Sequence, residues 1–149
     1  MVTRRFPVLV LALTGLVATS PATALDYFTV AEAAPMYDAP SAKSRPLFVV
    51  RAGTPVEQVV SLEGWSKVRD SSGDLSWIEK KHLTEKRSVI VRLERAQVRA
   101  APEDKAAPVF EAERDVVLEL IDVVPGGWAK VNHRDGQSGY VKATQVWGL

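Results

Sequence analysis

The chain has 149 residues, 46% of them hydrophobic and 25% charged, with a formal net charge of +1. A near-neutral balance offers no concentrated basic face, so nucleic acid and anionic membrane are not expected as partners. The chain has no cysteine, which excludes disulfides, a cysteine nucleophile and lipid attachment through an N-terminal cysteine.

In chain order, the first element is a leader. Arg4 and Arg5 precede an almost unbroken apolar run from Phe6 to Ala18. Ser20-Pro21 breaks the run, and Ala22-Thr23-Ala24 supplies the small-x-small pattern of a signal-peptide cleavage site. The run falls short of the roughly 20 apolar residues that span a bilayer. Cleavage is expected after Ala24. The mature chain then holds 17 basic and 18 acidic residues, a net charge of −1, with no membrane insertion and a periplasmic or secreted location.

The rest of the chain repeats itself. Pro40, Pro46, Leu47 and Phe48 recur 62 positions later as Pro102, Pro108, Val109 and Phe110. Further on the offset is 63: Gly64-Trp65 matches Gly127-Trp128, Lys67-Val68 matches Lys130-Val131, Gly73 matches Gly136, and Trp77-Ile78 matches Tyr140-Val141. One residue has been added in the second copy between these blocks. The expected division is 1–24 leader, 25–84 first module and 85–149 second module. The stretch from Glu79 to Arg87 mixes both signs of charge, as a solvated last strand and linker would.

Each module is expected to be several short strands. Val116, Leu118 and Leu120 alternate, β-branched residues are dense from Val116 to Val124, and Pro and Gly recur at strand-length intervals. No long helical period is present. Modules of about 60 residues bury little core, so the two are expected to pack together or to share a short, stiff linker.

The most informative element is the hairpin Trp128–Val141, with Trp65–Ile78 as its first-copy equivalent. Arg134-Asp135-Gly136 and Ser71-Ser72-Gly73 each fit a three-residue loop, a type I turn closed by a left-handed glycine. That loop sets the register. Lys130 should oppose Tyr140, Val131 should oppose Gly139, Lys67 should oppose Trp77, and Val68 should oppose Ser76. Opposed residues share a face. Val68, Ile78, Ser66 and Ser76, with Val131, Val141, Ala129 and Gly139, form small aliphatic faces assigned to the core. The other face carries Trp65, Lys67, Trp77 and Glu79, or Trp128, Lys130, Tyr140 and Lys142. It is either a recognition surface of rings beside lysines or a second small core, buried locally or against the sister module.

These residues resemble the bacterial SH3 (SH3b-like) domain family. The family pattern is Asn-x-Arg-x-x-Pro, Gly-Trp-x-Lys-Val, a short Gly turn, Gly-Trp-Val and a closing aliphatic. The second copy has Gln97-Val98-Arg99-Ala100-Ala101-Pro102, Gly127-Trp128-Ala129-Lys130-Val131, Asp135-Gly136, Gly139-Tyr140-Val141 and Val146. The first has Asp38-Ala39-Pro40, Gly64-Trp65-Ser66-Lys67-Val68, Gly73, Trp77-Ile78 and Leu83. Pro35-Met36-Tyr37 replaces Asn-x-Arg in the first copy, so only Arg99 carries over from that position. The resemblance implies an all-β chain of two tandem small SH3-like β-barrels. It implies a non-catalytic binding module of the cell envelope whose partner is peptidoglycan or an envelope protein or peptide. The expected ligand-binding residues are Trp65, Lys67, Trp77, Arg99, Trp128, Lys130 and Tyr140. A periplasmic protein–protein adaptor is the alternative.

No catalytic constellation accompanies them. His82 and His133 are the only histidines, too isolated for a metal site, and His133-Arg134-Asp135 belongs to turn chemistry. Neither a paired carboxylate spacing nor a glycine-rich phosphate loop is present. No cofactor or metal is expected, and the protein should be a monomer and not an enzyme.

Overall fold

The computed structural model describes residues 25–149; the expected leader lies outside the described residues. The first seven strands are β1 (Asp26–Val30), β2 (Ala34–Tyr37), β3 (Pro46–Val50), β4 (Pro55–Ser61), β5 (Trp65–Arg69), β6 (Leu75–Glu79) and β7 (Leu83–Thr84). They form one antiparallel sheet in the order β3-β2-β6-β5-β4-β1-β7. The next seven are β8 (Ser88–Val91), β9 (Arg95–Arg99), β10 (Pro108–Glu113), β11 (Val117–Val124), β12 (Trp128–Asn132), β13 (Ser138–Lys142) and β14 (Val146–Trp147). Their order, β10-β9-β13-β12-β11-β8-β14, repeats the first sheet strand for strand. The chain is therefore all-β, in two tandem modules.

Each sheet buries one face on itself. Among the described residues no second layer covers it, so the sheet must curl to remove its apolar side from water. In the first module Val30, Ala34, Met36, Val56, Val68 and Ile78 fill the interior. In the second, Val89, Val91, Val98, Leu118, Val131 and Val141 are among the equivalents. A bulge in the long strand helps each sheet bend: Val59 is left between the pairs Gln58–Val68 and Val60–Lys67, and Ile121 between Leu120–Val131 and Asp122–Lys130. The extra residue of the second copy lies beyond this bulge. There β11 gains the pair Val124–Trp128, and Pro125-Gly126-Gly127 makes the turn.

The hairpin register agrees with the loop argument. Lys67 opposes Trp77 and Val68 opposes Ser76; Lys130 opposes Tyr140 and Val131 opposes Gly139. Gly73 and Gly136 have φ of 96° and 94°. Their N–H groups donate to the carbonyls of Asp70 and His133, closing the turns. The charged stretch from Glu79 differs from the expectation of a plain strand and linker. Lys80–His82 is a 3₁₀ turn, because the chain must reverse after β6 to bring Leu83 and Thr84 against β1.

The two modules touch. The Thr29 and Ser88 hydroxyls lie 2.8 Å apart, and Ser88 donates to the Gly53 carbonyl at 2.8 Å. Tyr27 meets Trp147 edge to face at 5.2 Å, and the Arg87 guanidinium lies over the same tyrosine while donating to the Gly148 carbonyl. Packing of the modules on each other, rather than a free linker, follows from these contacts.

Candidate functional site

The non-core face of each hairpin is extended by a third strand. Tyr37 on β2 pairs with Trp77 on β6, so Lys67, Trp77 and Tyr37 stand in one row across β5, β6 and β2. In the second module the row is Lys130, Tyr140 and Arg99. Residues in one row of a sheet lie on the same side and within side-chain reach of their neighbours. The loops joining β2 to β3 and β9 to β10 flank these rows. Both are stiffened locally: Asp38 accepts from the Arg45 N–H, and Arg99 donates to the Ala106 carbonyl at 2.9 Å.

The two faces differ in openness. In the first module Tyr37 and Trp65 pack edge to face with centroids 5.5 Å apart. Trp65, Trp77, Tyr37 and Lys67 all remain half-buried, so part of every ring meets solvent. In the second module Trp128 is only 7% exposed. The Lys142 ammonium sits 5.7 Å from the centre of its ring and pairs with Asp104 from the flanking loop at 2.5 Å. That hydrogen bond holds the Asp104 carboxyl below its usual range. Of the two readings of its face, Trp128 fits the second, a ring buried locally: a lysine and its loop partner close over it. Lys130, Tyr140 and Arg99 stay half-buried, and the Arg99 guanidinium is engaged with its own loop.

The expected set thus falls into a first-module cluster of Trp65, Lys67 and Trp77, and a second-module cluster of Arg99, Lys130 and Tyr140 beside a covered Trp128. Tyr37, Asp104 and Lys142 join these clusters without having been among the expected site residues. Tyr37 carried a signal, since it stands 62 positions before Arg99. Asp104 carried none, because nothing in a surface loop says which lysine it will reach. Among the described residues no group of three or more His, Asp or Glu side chains could hold a metal ion. No helix among them is long and apolar enough to cross a membrane.

Two curled seven-stranded sheets, each presenting a ring-and-lysine row beside a loop, define a tandem of small β-barrel domains. The chain belongs to the Bacterial SH3 domain family, whose model matches it twice, over residues 30–85 and 89–148. No curated protein matches the chain. Solved structures similar to it include NlpC1 and NlpC2 from Trichomonas vaginalis. They are 16% and 14% identical, with TM-scores of 0.40 and 0.39; the match covers 93% and 85% of this chain and 51% and 49% of theirs. A third is an NlpC/P60 family protein from Bacillus cereus ATCC 10987, 15% identical with a TM-score of 0.38, covering 83% of this chain and 56% of that one. The chain spans about half the length of these structures.

Proposed function

We propose that the protein is an exported, non-catalytic binding module of the cell envelope that recognises peptidoglycan or a peptide ligand. The observation that carries this reading is the aromatic cluster of Tyr37, Trp65 and Trp77 beside Lys67, half-open on the outer face of the first hairpin. Rigid rings offer large contact area at low entropic cost, and a neighbouring ammonium adds direction. The Lys130–Tyr140–Arg99 row is the second contact surface. Export rests on the leader pattern of residues 1–24, and the non-catalytic role on the lack of any catalytic constellation in the sequence. The test is co-sedimentation with purified sacculi. The protein should pellet, and W77A combined with Y140A should weaken binding at least tenfold, the loss expected of one aromatic hot spot. Retention in the supernatant, or an unaffected double variant, defeats the reading.

One observation favours an envelope adaptor as the second reading. β3 is an edge strand, and its Leu47, Phe48 and Val49 are all exposed. An open apolar edge can take a strand from another protein. Co-purification of one stoichiometric partner, without affinity for cell wall, would select this reading.

A further inference from the structure

A cleft of about 870 Å³ runs between the two modules, away from the ring-and-lysine faces. Its walls are two corresponding turns, one around Arg51–Gly53 and one around Arg114–Val116, together with the linker from Lys86 to Ser88 and the β12–β13 turn. Its volume lies in the range of sites that enclose small organic ligands. Neither module builds it alone.

The charges lining it are unevenly matched. Lys86 pairs with Glu119 at 2.9 Å. Arg87 spends one nitrogen on the Gly148 carbonyl, while its Nε is buried with no partner among the described residues. Arg51, Arg114 and Arg134 also line the cleft, and no carboxylate among the described residues lies within ion-pair distance of any of them. Arg51 reaches only the backbone carbonyl of Asp115, at 3.5 Å. Three guanidiniums without a carboxylate partner in one cleft are a local excess in a mature chain of net charge −1. Five cationic side chains against Asp115 and Glu119 leave the cleft with a positive excess, which attracts a ligand of the other sign, and a guanidinium grips a carboxylate with two parallel hydrogen bonds.

The sole unpaired acid in the cleft is Asp115. It has φ of 66°, the only positive value on a non-glycine among the described residues. The corresponding turn of the first module has Gly53 there, with φ of 84°. The two N–H groups make the same bond, to the carbonyls of Val91 and Val30 respectively. A side chain in this conformation costs more than glycine, though least for Asp and Asn, and the Asp115 carboxylate offsets part of the positive charge of the cleft.

We infer that the inter-module cleft binds a short peptide bearing at least two carboxylates, gripped by Arg51, Arg114 and Arg134. Its apolar lining, which includes Ala31, Val116 and Val117, suits peptide side chains. No Trp, Tyr or Phe lines it, so the large aromatic platforms on which single-stranded nucleic acids stack are missing from its walls. The site stands apart from the rows proposed to bind cell wall or peptide, and it requires both modules at once.

The experiment is an amide NMR titration of the protein with triglutamate at low salt. Gly53, Ser88 and Gly136 should shift in a saturable way, and trilysine should leave them unmoved. R114A and R134A, both at exposed positions, should each weaken binding about tenfold, the effect of one charge-assisted hydrogen-bond pair. D115N, which keeps a side chain tolerant of left-handed backbone, should tighten binding several-fold by removing the opposing charge. W77A should leave the titration unchanged, which separates this site from the aromatic face. The inference is overturned if millimolar triglutamate shifts none of the cleft amides, or if the shifts fall on Tyr37 and Trp65 instead. Inorganic phosphate or a single-stranded oligonucleotide binding as tightly as triglutamate would overturn it too.

Discussion

The docking of the two modules includes a hydroxyl relay that can be tested by a double-mutant cycle. Ser88 is 5% exposed and Thr29 is 7% exposed. Ser88 donates to the Gly53 carbonyl, so the hydrogen between the two hydroxyls is supplied by Thr29. S88A removes both bonds and leaves a partly buried carbonyl and a buried hydroxyl without partners. An orphaned buried polar group costs about 1–3 kcal/mol, and a satisfied bond contributes about 1 kcal/mol net. S88A should therefore cost about 2–3 kcal/mol, and T29V about 1 kcal/mol. The double variant should fall short of the sum by about 1 kcal/mol, because the shared bond can be lost only once. Urea denaturation followed by tryptophan fluorescence reads these values. At a slope of about 2 kcal/mol/M, S88A should lower the midpoint by about 1 M. Additivity within about 0.3 kcal/mol would mean that the two hydroxyls do not meet in solution. The relay, and the part of the docked arrangement that rests on it, would then be refuted.

Other substitutions test other parts of the fold. A Cβ at Gly139 would lie 2.6 Å from the Arg99 carbonyl oxygen and 2.7 Å from Val98 Cγ1. G139A should cost about 1–3 kcal/mol by overpacking. Gly136 faces open space at φ of 94°, so G136A should cost only its backbone strain, about 1 kcal/mol; thermal unfolding should rank the two in that order. The Asp135 carboxyl is held at about 2, below its usual 3.8, chiefly by the Gln137 backbone N–H, then by the Gln137 side chain and His133. A depressed carboxylate stabilises the folded state above its unfolded pKa, and that contribution disappears as the pH falls through the folded value. Wild type should therefore exceed D135A in stability at neutral pH, and the gap should close between about pH 4 and pH 2. A gap that persists unchanged at pH 2 would contradict this assignment.

How far the fold could be read in advance depended on whether the information was local. The hairpin register followed from loop length and one glycine, because a three-residue turn leaves no freedom to slip. Val68, Ile78, Val131 and Val141 could then be placed in the core by parity alone. The all-β tandem followed from the repeat. What escaped was contact between distant segments. The covering of Trp128 needs Lys142 and Asp104, brought together only when the β9–β10 loop folds back over β13. The edge-to-face contact of Tyr37 with Trp65 crosses an intervening strand. The 3₁₀ turn at Lys80–His82 lies inside a charged run with no helical period, and it exists because the sheet must close. The inter-module cleft was least legible of all: a repeat describes each copy but carries nothing about the relation between copies.

The pairing of β1 with β7, and of β8 with β14, also determines how each module can form. Thr29 meets Thr84 and Val30 meets Leu83; Ile90 meets Trp147 and Val91 meets Val146. Each module thus joins its first strand to its last at one end of its sheet. That join brings the two ends of a module together before its enthalpy is recovered, a loop-closure cost that slows folding. A nascent module whose last two-residue strand has not yet been added lacks the partner of its first. Folding should accordingly follow the millisecond-to-second regime of non-local β topologies, with each module completed as a unit after its final strand arrives.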